Sequence, residues 1–158
     1  MSDPVLSPAE RAFLSAARRA VLATIAADGR PRLVPICFVV DPVHPFLYTP
    51  LDEKPKAPRE VLHLARVRDV LADPRVSVLV DHWDEDWERL AWLRCHGTAT
   101  VLESDGGDAG DAGPTERDAA ISALRGRYPQ YVSHRLEARP MIRIVIERTT
   151  SWGLLGSP

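Results

Sequence analysis

Two kinds of hydrophobic pattern follow one another along this chain. Six runs either alternate apolar with polar residues or are almost continuously apolar, as is typical of half-buried and buried strands. These runs are 20–27, 31–41, 46–49, 75–81, 90–103 and 141–147. Three other stretches, 7–19, 59–71 and 115–127, repeat apolar residues at helical spacing. Hairpins join the first strands, so we expect a mainly β, α+β fold with a closed or half-open barrel, and not a doubly wound parallel sheet.

Local motifs predict how several elements begin and turn. Ser7 and Glu10 have the spacing of a capping box at the start of the first helix. Asp28-Gly29 lies between two strand runs and predicts a hairpin with a type I′ turn, which needs positive φ at both positions. Pro35 interrupts the second run and has no N–H, so that strand is either a plain edge strand or a bulged one beside a site.

Composition narrows the class of protein. The 158 residues are 45% hydrophobic and 27% charged, with a net charge of −2, which suits one globular domain spanning 1–158. A pI near 6.2 does not suggest a nucleic-acid-binding protein. Neither a signal peptide nor an apolar segment long enough to span a membrane is recognisable, so we expect a cytoplasmic protein. In that compartment Cys37 and Cys95 should be reduced, and no metal-ligand spacing is present.

A basic turn between a strand and a helix is the first candidate site. The stretch Tyr48–Pro58 offers the hydroxyl of Thr49, the charges of Lys54 and Lys56, and the unpaired N–H groups of a helix start. Together these groups are suited to a phosphate. The alternative is that the two lysines belong to a solvated surface.

The order of motifs resembles one large family. Ala23–Asp41, Leu47–Thr49, the lysine turn and Asp73–Val80 follow one another as in the FMN-binding split β-barrel family, also called pyridoxamine 5′-phosphate oxidase-like. This resemblance implies a six-stranded antiparallel split β-barrel with flanking helices, assembled as a homodimer with two cofactor sites between the barrels. The lysine turn and the segment His82–Trp87 are similar to the actinobacterial branch of F420-dependent enzymes.

The resemblance also implies a set of cofactor-binding residues. The second strand would line a flavin-type ring, the basic turn would hold its phosphate, and one strand would lie beneath the cofactor chain. Two further residues would approach from the partner subunit. The ring would be lined by Arg32, Val34, Pro35 and Ile36, and the phosphate would be held by Thr49, Lys54 and Lys56. The residues beneath the cofactor chain would be Val78 and Leu79, and those from the partner subunit Trp92 and Arg94.

The implied function is hydride transfer between coenzyme F420 and a small organic substrate, with no catalytic side chain and no metal assigned. One alternative is an FMN-dependent reductase or oxidase of the same fold. Oxidase members carry an Arg-Lys pair in the phosphate turn, whereas this chain has Lys54-Pro-Lys56, which argues against pyridoxamine phosphate oxidase activity itself. Another alternative is a non-catalytic carrier of a flavin-like or haem-like ligand, although no histidine pattern nominates an axial ligand.

Aromatic residues and one histidine near the predicted site have two interpretations each. Trp83, Trp87 and Trp92 could form an aromatic wall for a ligand, or they could pack in the core or a dimer interface. His96 could act as a general acid, but a hydrogen-bonded structural histidine is the commoner role.

Overall fold

A computed structural model describes residues 5–51, 57–103 and 115–156, apart from the side chains of 57–64. Within these ranges there are three α-helices and seven β-strands, with short 3-10 turns at Trp87–Arg89, Pro129–Ser133 and Leu136–Ala138. In chain order the elements are α1 (Pro8–Ala16), β1 (Ala20–Ile25), β2 (Pro31–Ile36), β3 (Val39–Val40), β4 (Phe46–Pro50), α2 (Ala57–Ala72), β5 (Arg75–His82), β6 (Ala91–Leu102), α3 (Glu116–Arg127) and β7 (Met141–Gly153).

All strands belong to one antiparallel sheet in the order β2-β1-β5-β6-β7-β4-β3. The two outermost strands, β2 and β3, are consecutive in the chain and are separated only by Cys37 and Phe38. Successive Cα atoms lie about 3.8 Å apart, so this short link forces the two edges of the sheet towards each other. The sheet therefore curls into a barrel with a seam between its edges.

The expected antiparallel barrel with flanking helices is confirmed, but the expectation of six strands is wrong. The run 31–41 forms two strands instead of one, because the chain leaves one edge of the sheet after Ile36 and joins the other at Val39. Pro35 does lie on an edge strand, where its missing N–H costs no ladder hydrogen bond. The last strand is also longer than expected and continues to Gly153, where it pairs with β6.

The hairpin between β1 and β2 occurs where it was expected, but its turn is not type I′. Gly29 has a φ of 81°, whereas among the described residues no other residue type has a positive φ, and so Asp28 does not. The Gly29 N–H donates to Ala26 O at 2.8 Å, and the Ala26 N–H donates to Arg30 O at 2.9 Å. A glycine with positive φ after a tight turn is the usual form of a longer hairpin loop.

The barrel interior is filled by alternate residues of the strands. Leu22, Val78 and Leu93 from three neighbouring strands have no exposed surface, and Leu14 of α1 packs into the same cluster. A second cluster lies beneath α3. The capping box expected at Ser7 is confirmed, and Thr115 forms a second capping box at the start of α3. None of the helices in the described ranges is long and apolar enough to cross a membrane.

Candidate functional site

A cavity of about 140 Å³ opens at the seam of the barrel. It lies where the end of β2 approaches the end of β4, and the described part of α2 closes one side. We call it the seam cavity. Its lining residues are Arg19, Pro35, Ile36, Cys37, Thr49, Pro50, Arg66 and Tyr131.

Two arginines and a threonine give the seam cavity its chemistry. Arg66 is 5% exposed and Thr49 is 1% exposed, whereas Arg19 is open to solvent at the start of β1. A guanidinium is a planar fork of N–H donors that matches phosphate or carboxylate oxygens, and its charge acts more strongly where water is excluded. The lining is therefore suited to an anionic group.

The structure brings together Pro35, Ile36 and Thr49, which the resemblance assigned to separate parts of a cofactor site. Val34 belongs to the same strand but packs against the barrel core. Lys54 and Lys56 lie outside the described residues, so their assignment to a phosphate stays a prediction.

Arg32 is held by an acid of helix α2. Its Nε donates to Oδ2 of Asp69 at 2.7 Å, and the same oxygen accepts a 2.9 Å hydrogen bond from the hydroxyl of Thr24. Asp69 is 6% exposed and Thr24 is 2% exposed, so this network ties α2 to the first two strands. Hydrogen bonding and charge attraction from Asp69 raise the pKa of Arg32 above its ordinary value.

The remaining predicted residues lie on β5 and β6, and they do not share one face. Val78 is completely buried in the barrel core, whereas Leu79 is 39% exposed on the outer face and pairs with Arg94. The Arg94 guanidinium lies over the ring of Trp92 at 5.6 Å. Leu79, Trp92 and Arg94 thus form a group of their own on the outer face, and Val78 has no surface left for a ligand.

His96 is hydrogen-bonded on the same outer face. Its Nδ1 lies 2.8 Å from the hydroxyl of Ser77, in agreement with a structural histidine. Desolvation lowers the pKa of His96, and repulsion from Arg148 and Arg94 lowers it further. These effects favour the neutral imidazole.

The tryptophans do not gather into one wall. Trp83 is 66% exposed and Trp87 is 72% exposed, on the segment between β5 and β6. Core packing is therefore not their role. Trp92 instead pairs across the strands with Trp152.

Sequence reasoning missed Arg19, Arg66 and Tyr131 in the seam cavity. Arg66 lies inside a helical run and Arg19 just before a strand, and neither position differs in sequence from an ordinary surface arginine. Their convergence depends on the curvature of the sheet and on the docking of α2, both of which are long-range.

The curled antiparallel sheet, its seam and its covering helices define a split-barrel protein. Residues 6–153 match the family model described as pyridoxamine 5′-phosphate oxidase, and the chain belongs to that family. A comparison with curated proteins found no match.

Solved structures agree with this fold. A conserved hypothetical protein from Mycobacterium tuberculosis is 25% identical, with a TM-score of 0.67 over 100% of this chain and 92% of the other. A FAD-binding protein from Mesorhizobium loti is 26% identical, with a TM-score of 0.60 over 92% and 94% of the two chains. The heme storage protein HutZ from Vibrio cholerae is 18% identical, with a TM-score of 0.62 over 94% of each chain, and shows the fold alone.

Proposed function

We propose that this protein binds a phosphate-bearing flavin-type cofactor at the seam cavity and uses it as an oxidoreductase on a small organic substrate. The observation that carries the proposal is the meeting of Arg19, Arg66 and Thr49 beside Pro35 and Ile36. Membership of the pyridoxamine 5′-phosphate oxidase family and the similarity to a FAD-binding protein support it.

The size of the cavity suggests which part of a cofactor it receives. A volume of about 140 Å³ is well below the roughly 300–1,000 Å³ of pockets that enclose a whole small ligand. The phosphate end would enter, held by guanidinium groups and the threonine hydroxyl. The ring would lie outside, along the exposed side of β2 at Pro35.

The cofactor itself would supply the hydride chemistry. The protein's part is to bind the phosphate at Thr49 and the arginines, to orient the ring against Pro35, and to exclude water from it. A homodimer is part of the proposal, because Leu79, Trp92 and Arg94 on the outer face would then cover the ring of the partner's cofactor. We propose F420 as the cofactor, on the resemblance of the lysine turn and the segment His82–Trp87 to the F420-dependent branch, with FMN as the alternative.

Titration of the purified protein with F420, FMN, FAD and haem, followed by the fluorescence of its tryptophans, tests the proposal. Saturable binding of F420 or a flavin is expected, together with hydride transfer from the reduced cofactor to a member of a panel of enones, quinones and nitro compounds. Binding without turnover would favour a carrier. Binding of haem alone would contradict the oxidoreductase proposal, and flavin binding with no response to F420 would remove the F420 assignment.

A further inference from the structure

The hydroxyl of Tyr128, at the end of α3, contacts the backbone at two separate places in the barrel. It accepts a 3.2 Å hydrogen bond from the N–H of Phe38 and lies 3.1 Å from both Phe38 O and Arg18 O, to either of which it can donate. Arg127 Nε also donates to it at 3.2 Å. Tyr128 is 5% exposed, so these bonds form away from solvent.

Both backbone segments adjoin the seam cavity. Phe38 follows Cys37 in the link between β2 and β3, and Arg18 precedes Arg19 in the link between α1 and β1. The link at Phe38 leaves one edge of the sheet for the other, so its N–H and C=O belong to no strand ladder. A buried backbone group without a partner is costly, and here a side-chain hydroxyl provides that partner.

The ring of Tyr128 also supports the wall of the seam cavity that Tyr131 forms. It contacts the ring of Tyr131 edge to face at 5.7 Å between centroids, and Tyr131 lines the cavity. Arg127, the neighbouring residue, donates to the carbonyl oxygens of Ser15 and Ala17 at the end of α1. Thus the end of α3 is bonded to α1, to the link before β1 and to the link between the edge strands.

We propose that Tyr128 is a positioning residue of the seam cavity. Its hydroxyl fixes the spacing between the segment that carries Arg19 and the segment that carries Cys37, and so holds the cavity open for the phosphate end of a cofactor. The ligand named in this inference rests on the proposed function, whereas the positioning of the two segments does not.

Tyr128→Phe removes the hydroxyl and keeps the ring. The matched control is Tyr48→Phe, because Tyr48 is 3% exposed and loses a 2.6 Å hydrogen bond to Glu116 at the start of α3, and neither residue lines the seam cavity. The first readout is the rate at which a disulfide reagent labels Cys37, which is half-buried in the cavity wall. Cys95, 1% exposed, serves as the internal reference for global unfolding.

Labelling of Cys37, located by mass spectrometry, should be about fivefold faster or more in Tyr128→Phe and nearly unchanged in Tyr48→Phe, as expected when a net hydrogen bond is lost. Affinity for the bound cofactor should fall by a similar factor in Tyr128→Phe only. Equal labelling rates in the two variants would overturn the inference. If the wild type binds no cofactor the proposed function fails, while the labelling result still decides the role of Tyr128.

If Tyr128→Phe does not fold, hydrogen exchange in the wild type decides the question. The Phe38 amide should exchange as slowly as the amides of β1, because its N–H donates a hydrogen bond to the Tyr128 hydroxyl. Exchange as fast as at the exposed turn residue Asp28 would overturn the inference.

Discussion

Arg32 and Asp69 are joined by a 2.7 Å hydrogen bond that links the edge strand β2 to the buried face of helix α2. Asp69 also accepts the hydroxyl of Thr24, so one carboxylate holds two strands and a helix together. The bond to Asp69 uses the Nε of Arg32. The pair therefore anchors this arginine while the two Nη atoms of the guanidinium keep their capacity to donate hydrogen bonds.

Asp69→Ala should lower the free energy of unfolding by about 1–3 kcal/mol, because the buried Thr24 hydroxyl loses its acceptor. Urea denaturation measures this change. Asp73→Ala is the control, since Asp73 pairs with the exposed Arg75, and screening by solvent makes such a pair weak. An effect at position 69 no larger than that at position 73 would contradict the anchoring role.

Gly97→Ala should destabilise the protein by about 3 kcal/mol or more. A Cβ at this position would overlap the carbonyl oxygen of Val145, at the point where the register of β6 and β7 shifts. Backbone cannot move aside as a flexible side chain can. Gly126→Ala in α3 is the control, because a Cβ there meets no atom within 4 Å and alanine favours a helix. Thermal denaturation should show a large loss for the first variant and no loss for the second.

Stability should fall as the pH decreases through about 6.5, because His96 has a folded-state pKa below its ordinary value. The unfolded chain then binds more protons than the folded one, so acid favours unfolding. Ser77 contacts the imidazole, Arg148 and Arg94 repel its charged form, and Glu147 lines the same cavity. Urea denaturation at about pH 7.5 and about pH 5.5 should show a smaller pH effect in His96→Gln than in the wild type. Identical pH dependence would show that His96 does not contribute.

Arg19→Ala should weaken cofactor binding by about five- to twentyfold, since one guanidinium of the seam cavity is lost.

Lys56→Ala should cost about 1.5–3 kcal/mol of binding free energy if that lysine pairs with the phosphate, as the resemblance implies. Arg30→Ala, at the exposed hairpin turn, is the control for loss of one positive charge. Equal affinity for all three variants would exclude a phosphate at this place.

Leu79→Lys should convert the proposed homodimer into a monomer, because it places a charge in the exposed outer face that would be buried between barrels. Sedimentation velocity measures the outcome. Leu71→Lys on α2, where the leucine is 67% exposed, should leave the assembly unchanged. A wild-type protein that sediments as a monomer would show that the expectation of a homodimer is wrong.

Local features of this fold could be predicted from the sequence, whereas long-range ones could not. The capping box at Ser7 depends on two residues three positions apart, and it was predicted. The apolar run 31–41 contains no signal for the break at Cys37, because the break is imposed by closure of the barrel. The approach of Arg66 to Thr49 likewise depends on where α2 docks, which no local spacing encodes.

The short link between β2 and β3 also protects the protein against association through its strands. An open sheet offers two rows of unpaired N–H and C=O groups to which a foreign strand could add. Here the chain itself joins those two rows within two residues, so neither row is accessible near the link. New chain termini placed between Cys37 and Phe38 would remove this protection and leave an ordinary sheet prone to aggregation.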